Sequence, residues 1–207
     1  VYWEPGLELM PFNGPRVATI YDLSHIVIPE SHPRARIGHL VRHVDRILRF
    51  SEKVVTISHT MRREIAIYAG LREADIAVVP PAAAPVFRPL GVAEQHEARR
   101  RHGLPDRFIL SLGTVEPRKN LGRLVQAYAA LPQALRRAWP LVCVGAKGWN
   151  DASLIREMQR LEARGELLRL GYVAQQDLPQ IIASANLLAY PSLYEGFGMP
   201  NLEAMAC

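Results

Sequence analysis

The feature that most constrains the fold is a regular alternation of two kinds of segment. Short runs rich in β-branched and other apolar residues, typical of buried strands, are followed by longer segments whose apolar residues repeat with helical period. This alternation is typical of parallel sheets linked by crossover helices. The sequence therefore predicts an α/β fold with two layered units, each built on its own parallel sheet.

The first predicted domain covers residues 1–80. Its strands are predicted at 16–20, 53–57 and 76–79, and its helices at 35–50 and 60–69. Prolines at positions 80, 81, 85 and 89 favour an extended, irregular stretch after it. Residues 81–91 are therefore predicted to be a linker between two domains.

The second predicted domain covers residues 92–207. Its strands are predicted at 108–112, 141–144, 167–170 and 187–190, and its helices at 121–131, 153–164, 178–184 and from 200 onward. Open parallel sheets bind ligands beyond the carboxyl ends of their strands. We therefore expect the functional residues in the loops that follow strands.

The chain ends and the composition narrow the class of protein. Val1 is not a methionine, and Cys207 falls within an apolar helical pattern without a stop signal, so we expect both domains to be incomplete. The 49% hydrophobic content argues against disorder, and no apolar run approaches the roughly 20 residues of a membrane span. Cys143 and Cys207 lack metal-site spacing and are predicted to be packing residues in a reducing, cytoplasmic compartment.

A pair of cations follows the first strand of the second domain. Gly113 directly follows the strand, Arg118 and Lys119 lie five and six residues further on, and Asn120 is a good N-cap for the helix predicted after it. A helix N-terminus already favours an anion, and two cations beside it predict a diphosphate site. A solvated pair of basic residues in a turn is the alternative for these positions taken alone.

A second loop, after the strand at 187–190, carries two acids and two glycines. Glu195 lies in the loop and Glu203 in the first turn of the helix that Pro200 begins, while Gly196 and Gly198 expose backbone amides. Ionised carboxylates accept hydrogen bonds from vicinal hydroxyls, so the loop predicts a sugar site beside the diphosphate site. A tight turn and solvated or helix-dipole carboxylates are the simpler alternatives.

Four motifs together resemble the retaining glycosyltransferases of family four, which have the two-Rossmann-domain GT-B fold. They are Gly-Thr-Val-Glu-Pro-Arg-Lys-Asn at 113–120, Val144-Gly145 with Gly148-Trp149, Gly171-Tyr172-Val173, and Glu195 and Glu203 with seven residues between them. The spacing agrees with this family from about residue 16 to residue 207.

The resemblance implies roles for residues of the second domain. Arg118 and Lys119 would bind the donor diphosphate and stabilise it as the leaving group, which makes them candidate catalytic residues. Glu203 would bind the ribose hydroxyls, Val173 would line the base pocket, and Gly113 would allow the donor to approach the backbone.

The transferred hexose has its own predicted contacts. Glu195, a further candidate catalytic residue, would hold it together with the backbone of Phe197, Gly198 and Met199. The resemblance implies transfer with retention by a front-face displacement, and it implies neither a bound metal nor a cofactor. Bacterial mannosyltransferases of polysaccharide assembly are the nearest subtype, which suggests GDP-mannose as donor and a glycan or lipid-linked acceptor.

One position departs from the family pattern. Members usually have His-Asp at the end of an N-domain strand, whereas this chain has Tyr21-Asp22, and a phenol cannot replace a titrating imidazole near neutral pH. Tyr21 and Asp22 remain candidate acceptor-side residues. His25 is either a substitute for the missing imidazole or a surface histidine. We expect this piece of the protein to be inactive alone.

The net charge of +5 favours an anionic partner. In the predicted helix 35–50, Arg36, His39, His43 and Arg46 lie largely opposite the apolar face, so the helix could meet anionic lipid as a peripheral contact at the inner membrane face. A solvated basic face is the simpler interpretation. The spacing of His39 and His43 suits a metal pair, but no nearby Glu completes a zinc motif, and we expect no metal.

Other functions compatible with the sequence are a sugar epimerase or phosphorylase of the same fold and an inactive donor-binding fragment. A basic nucleic-acid-binding module is a different class. The basic residues are spread along the chain without an aromatic recognition motif, so we expect no nucleic-acid partner.

Overall fold

A computed structural model describes residues 1–6, 10–146, 148 and 152–207 of the chain. The chain forms two compact units: the first unit is Val1–Pro81 with Tyr194–Gly198, and the second unit is Ala82–Leu193 with Met199–Cys207. Two segments lie in other units than the sequence-based limits predict. They are residues 82–91, predicted to be a linker, and residues 194–198, predicted to belong to the second domain. Residues 82–91 belong to the second unit because Phe87 packs against its core and Arg88 pairs with Glu94 at 2.7 Å.

The first unit contains a four-stranded parallel sheet in the order β1-β2-β3-β4. Its strands are β1 (Tyr2–Glu4), β2 (Arg16–Ile20), β3 (Lys53–Thr56) and β4 (Ile76–Val78), and its helices are α1 (Ser24–Val27), α2 (Arg34–Phe50) and α3 (His59–Ala69). Val44 and Ile47 of α2 and Ile65 of α3 are fully buried in its hydrophobic core. Apolar residues at helical spacing thus cover the sheet, as the sequence pattern predicts.

The second unit contains another four-stranded parallel sheet, in the order β7-β6-β5-β8. In chain order its elements are α4 (Val92–His102), β5 (Ile109–Leu112), α5 (Leu121–Ala129), α6 (Gln133–Ala138), β6 (Leu141–Val144), α7 (Ala152–Glu162), β7 (Leu167–Gly171), α8 (Leu178–Ser184), β8 (Leu187–Leu188) and α9 (Met199–Ala206). One hydrophobic cluster joins the sheet to α5 and α7, and another joins it to α8 and α9. Burial on both faces explains the near-continuous apolar runs of β5 and β6.

Every strand and helix predicted from the sequence is present, with ends shifted by a few residues. The sequence did not predict β1, α1, α4 or α6. In α4, Ala98 is the buried residue, and four basic residues fill the last turn, so an apolar period could not reveal this helix. Within the described ranges, no helix is both long and apolar enough to cross a bilayer.

Candidate functional site

The carboxyl edge of the sheet in the second unit surrounds a cavity of about 320 Å³. Three glycines line it where strands end, namely Gly113 after β5, Gly145 after β6 and Gly171 at the end of β7. This volume is at the lower end of the range for small-molecule pockets, which starts at roughly 300 Å³. The ligand site that the parallel-sheet argument predicts therefore has a physical counterpart at this edge.

Two of the motif glycines allow backbone segments to approach closely. A β-carbon on Gly145, which has φ +155°, would lie 1.9 Å from the carbonyl oxygen of Gly113, and one on Gly148 would lie 2.0 Å from that of Val115. Any side chain would collide with backbone at both positions, and Gly145 is one of the residues that line the cavity. Trp149, which belongs to the same motif, lies outside the described residues.

Arg118 and Lys119 lie in a short 3-10 turn, Pro117–Lys119, between β5 and α5. The amide of Leu193 donates to the carbonyl of Arg118 at 2.8 Å, which ties this turn to the segment after β8. The Arg118 guanidinium pairs with Glu116 at 3.0 Å. The turn is thereby fixed at the carboxyl edge of the sheet, where the sequence places the diphosphate site.

Lys119 has a well-defined position within this turn. Its ammonium donates to the Tyr190 hydroxyl at 2.6 Å and lies 5.0 Å from the centre of that ring. A β-carbon built on Gly113 would lie 3.4 Å from the Lys119 stem, so the side chain passes along a residue that lines the cavity. The structure thus brings Lys119 and Gly113 together, while their roles toward a donor stay predictions.

Asn120 does not cap α5 with its side chain, contrary to the sequence-based expectation. Its backbone is left-handed, with φ 57°, and its side-chain amide donates to the carbonyl of Pro191 at 3.0 Å instead. The 3-10 turn before it imposes this conformation and directs the side chain to the neighbouring segment. Asn120 therefore serves as a second tie between the cation turn and the segment after β8.

Glu203 is the fifth residue of α9, because the helix begins at Met199. It therefore lies one residue beyond the first turn, whereas the sequence pattern predicted it within the first turn. Partial burial raises the pKa of the Glu203 carboxyl, and this carboxylate makes no hydrogen bond or ion pair with another described side chain. Its oxygens are available to accept hydrogen bonds. Val173, which follows β7, packs against the cluster that includes residues of α9.

Of the remaining predicted donor residues, Met199 begins α9 in the second unit, and the others belong to the first unit. Glu195, Phe197 and Gly198 lie in Tyr194–Gly198, which the chain contributes to that unit. A β-carbon on Gly196 would lie 2.1 Å from the carbonyl oxygen of Tyr21, so this segment lies directly against the end of β2. The structure therefore brings the loop with Glu195 together with the candidate acceptor-side residues.

Tyr21, Asp22 and His25 have different surroundings. The Tyr21 side chain is exposed, whereas the Asp22 carboxylate accepts hydrogen bonds from the amide and hydroxyl of Ser24 at 3.0 and 2.7 Å. His25 is only 3% exposed, so the idea of a surface histidine is wrong. Burial is the main cause that lowers the pKa of His25, which keeps its imidazole neutral at pH 7.

Several neighbours of the predicted site residues were missed from the sequence. Tyr190 contacts Lys119, Glu116 pairs with Arg118, and Ser58 donates to the backbone of the loop with Glu195. Ser58 follows the end of β3 and Tyr190 follows the end of β8, so position after a strand was the signal that could have found them.

Of the basic face predicted for α2, Arg36, His39 and Arg46 are exposed, and His43 is half-buried. The exposed cationic residues of this helix are Arg34, Arg36, Arg42, Arg46 and Arg49. The rings of His39 and His43 lie 4.1 Å apart. Across the residues described, no group of three or more potential ligands is arranged to hold a metal ion.

Comparison with known proteins gives a family match over more than half of the chain. Residues 93–207 match the family described as glycosyl transferases group 1. The O-antigen chain mannosyltransferase B of Escherichia coli is 35% identical over 208 aligned positions, which cover all of this chain and 55% of that protein. The mannosylfructose-phosphate synthase of Agrobacterium fabrum is 29% identical over 66% of this chain and 32% of its own length.

Solved structures share the fold. The glycosyltransferase WaaG, involved in lipopolysaccharide biosynthesis, has a TM-score of 0.74 at 20% identity and covers 98% of this chain and 55% of its own. The Anabaena protein HepE with UDP-glucose bound has a TM-score of 0.71 at 23% identity, over 93% of this chain and 51% of its own. The predicted GT-B type of fold is confirmed. The chain spans about half the length of these relatives.

Proposed function

The chain belongs to the glycosyl transferases group 1 family, and from this premise we propose that the intact protein transfers a hexose from a nucleoside-diphosphate sugar to a hydroxyl of a glycan or lipid-linked acceptor. The observation that carries the proposal is the cation turn. Arg118 and Lys119 are held by backbone and side-chain contacts at the carboxyl edge of the sheet, where such folds bind ligands, and the Lys119 stem passes beside Gly113, which lines the cavity.

The reaction requires stabilisation of a departing diphosphate. The bond between the anomeric carbon and the diphosphate oxygen breaks, the acceptor oxygen attacks the same face of the sugar, and its proton passes to the departing diphosphate. Positioned cations aimed at the developing negative charge lower this barrier, and this is the role we assign to Arg118 and Lys119. No bound metal or cofactor is needed for that step in the proposal.

We assign the remaining predicted site residues to the other parts of the donor. Glu203 accepts hydrogen bonds from the ribose, Val173 lines the base site, and Glu195 with the backbone of residues 197–199 holds the hexose. Carboxylates suit this work because an ionised carboxylate only accepts hydrogen bonds. Tyr21 and Asp22 face the acceptor side of the same loop.

We further propose mannose as the sugar, GDP-mannose as its donor and retention as the stereochemical outcome. Support for the sugar comes from the E. coli relative, an O-antigen chain mannosyltransferase, which aligns with the whole of this chain. Retention rests on the family resemblance of the four motifs. The sugar, the donor and the stereochemical outcome are all proposed for the intact protein.

Binding of nucleotide sugars tests the proposal. A thermal-shift panel of nucleotide sugars against the intact protein, without added metal, should show stabilisation by the true donor, since a ligand that binds the native state raises its stability. Glu203→Ala and Arg118→Ala should each weaken donor binding in calorimetry by about 1.5 to 3 kcal/mol, as expected for a lost charge-assisted hydrogen bond. Unchanged affinity in both variants would contradict the assignment.

Epimerisation and phosphorolysis remain the competing reactions for this fold. Incubation of the intact protein with GDP-mannose labelled in the sugar and a mannan-type acceptor distinguishes them. Transfer of label to the acceptor supports the transferase. Label recovered only in an altered nucleotide sugar would instead indicate an epimerase, and label recovered only in a sugar phosphate would indicate a phosphorylase.

We also propose that the exposed arginines of α2 hold the protein against an anionic membrane surface. The support is charge: five exposed arginines share this helix with one acidic residue, Asp45, which accepts a hydrogen bond from Tyr68 at 2.9 Å. Vesicles containing phosphatidylglycerol should retain the intact protein at low salt, and replacement of Arg42, Arg46 and Arg49 by Gln should release it. Equal retention by neutral phosphatidylcholine vesicles would contradict this contact.

A further inference from the structure

The loop that carries Glu195 is held by side chains of the first unit. Tyr194–Gly198 belongs to that unit, although the residues before and after it in the chain belong to the second. Its anchors come from Ser58 directly before α3, from α3 itself and from the residues that follow β2. A loop held in this way has a position set by the first unit.

Ser58 provides the first of these anchors. Its hydroxyl donates to the carbonyl of Gly196 at 2.7 Å and accepts from the amide of Met61 at 3.1 Å, where it caps α3. A serine hydroxyl has one donor and can accept as well, so the capping bond leaves its proton for the loop. The carbonyl of Gly196 is thereby tied to the N-terminus of a well-packed helix.

Tyr194 provides the second anchor. Its hydroxyl donates to the Glu64 carboxylate on α3 and lies 3.4 Å from the Met61 sulfur, while the amide of Leu23 approaches the same oxygen at 3.4 Å. Burial, together with the bond to Glu64, raises the pKa of the Tyr194 phenol, so it stays a protonated donor. The ring also packs against the core of the first unit.

Gly196 shows how closely the loop is seated. A side chain there would meet the carbonyl oxygen of Tyr21 at 2.1 Å and the Ile57 methyl group at 3.2 Å. The two anchors therefore lie on either side of Glu195, one at the residue before it and one at the residue after it. A carboxylate between two fixed neighbours has little freedom to move.

We propose that Ser58 and the Tyr194–Glu64 pair are positioning residues that fix Glu195 for the donor hexose. This inference rests on the proposed function, in which Glu195 holds the sugar. Arg118, Lys119 and Glu203, which serve the nucleotide part of the donor, belong to the second unit. Loss of an anchor should therefore weaken binding of the hexose and leave binding of the nucleoside diphosphate intact.

The first test compares two ligands in calorimetry with the intact protein. Ser58→Ala should weaken binding of GDP-mannose by about tenfold, the equivalent of one lost hydrogen bond, and change binding of GDP by less than about twofold. Ser58→Thr keeps the hydroxyl and should restore the affinity. If the thermal-shift panel selects another donor, that nucleotide sugar and its nucleotide replace this pair.

Matched controls separate positioning from a loss of stability. Ser31→Ala removes another serine hydroxyl that donates to a backbone carbonyl, at 2.8 Å, in the first unit. Tyr194→Phe tests the second anchor and should likewise weaken binding of the nucleotide sugar more than binding of the nucleotide. Its control is Tyr68→Phe, which removes another phenol that donates to a carboxylate. Both controls should leave the ratio of the two affinities unchanged, even where they lower the melting temperature.

Hydrogen exchange provides a readout that needs no donor. Ser58→Ala should speed amide exchange in peptides covering residues 194–198 by about tenfold, whereas Ser31→Ala should leave those peptides unchanged. If the unmodified protein binds no nucleotide sugar, the proposed function fails while the exchange data still report the anchoring. An unchanged affinity ratio together with unchanged exchange in Ser58→Ala would overturn the inference.

Discussion

At the scale of single residues, the proposed role of Glu203 in donor binding predicts sensitivity to acid. Partial burial raises the pKa of this carboxyl above the ordinary value of about 4.3, and the ionised form is the one that accepts hydrogen bonds from ribose. As pH falls, Glu203 should therefore be protonated at a higher pH than an ordinary glutamate. The decline in donor affinity should begin at that higher pH. Calorimetry across pH measures this effect, and Glu203→Gln should bind weakly with this component of the pH dependence removed.

Gly145 makes a residue-scale prediction about stability. Gly145→Ala should lower the free energy of unfolding by about 2 to 4 kcal/mol, because a β-carbon would overlap the backbone of Gly113 and the positive φ would be strained. Chemical denaturation measures the loss. Gly122→Ala, in α5 with open space around the added carbon, is the matched control and should cause no loss.

At the scale of elements, a buried ion pair joins α6 to the start of β7. The Arg136 guanidinium donates to the Glu166 carboxylate at 2.7 Å, Glu166 is fully buried, and Gln133 donates to the same carboxylate at 3.1 Å. Arg136→Met should lower the free energy of unfolding by about 3 to 5 kcal/mol, because a buried charge loses its partner. The exposed pair between Arg160 and Glu157 is the control.

The control pair is expected to contribute little. Arg160→Met breaks a pair at 2.9 Å on the exposed face of α7 and should change the free energy of unfolding by at most about 1 kcal/mol. Thermal denaturation of both variants under the same conditions provides the comparison. Similar losses in the two variants would contradict the special role of the buried pair.

Elements also show where sequence patterns are informative. The helix α2 has a clear apolar face, so the sequence predicted it to within one residue, whereas α4 buries a single alanine and was missed. The helix α4 forms because residues at both of its ends satisfy backbone groups and because α8 packs against it. Neither of these causes produces a periodic pattern of apolar residues in the sequence.

At the scale of the whole molecule, stability should decline in acid in two stages. The pKa of His25 is lowered by burial, so the unfolded chain takes up this proton first, and stability falls as pH drops below about 6.5. The pKa of Glu166 is lowered chiefly by its hydrogen bond from Arg136, so its contribution is present above about 4.3 and is lost as pH falls further. Denaturation at a series of pH values measures both stages, and His25→Phe should flatten the first.

The sequence by itself determined the fold class, the order of most elements and the loops in which the proposed donor residues lie. These properties depend on local periodicity and on the rule that ligands bind at the carboxyl ends of parallel strands. Only the tertiary structure decided that the loop with Glu195 belongs to the first unit, that Asn120 turns to Pro191, and that His25 is buried. Those outcomes depend on contacts between residues far apart in the chain, such as Ser58 and Gly196, whose pairing leaves no periodic signal in the sequence.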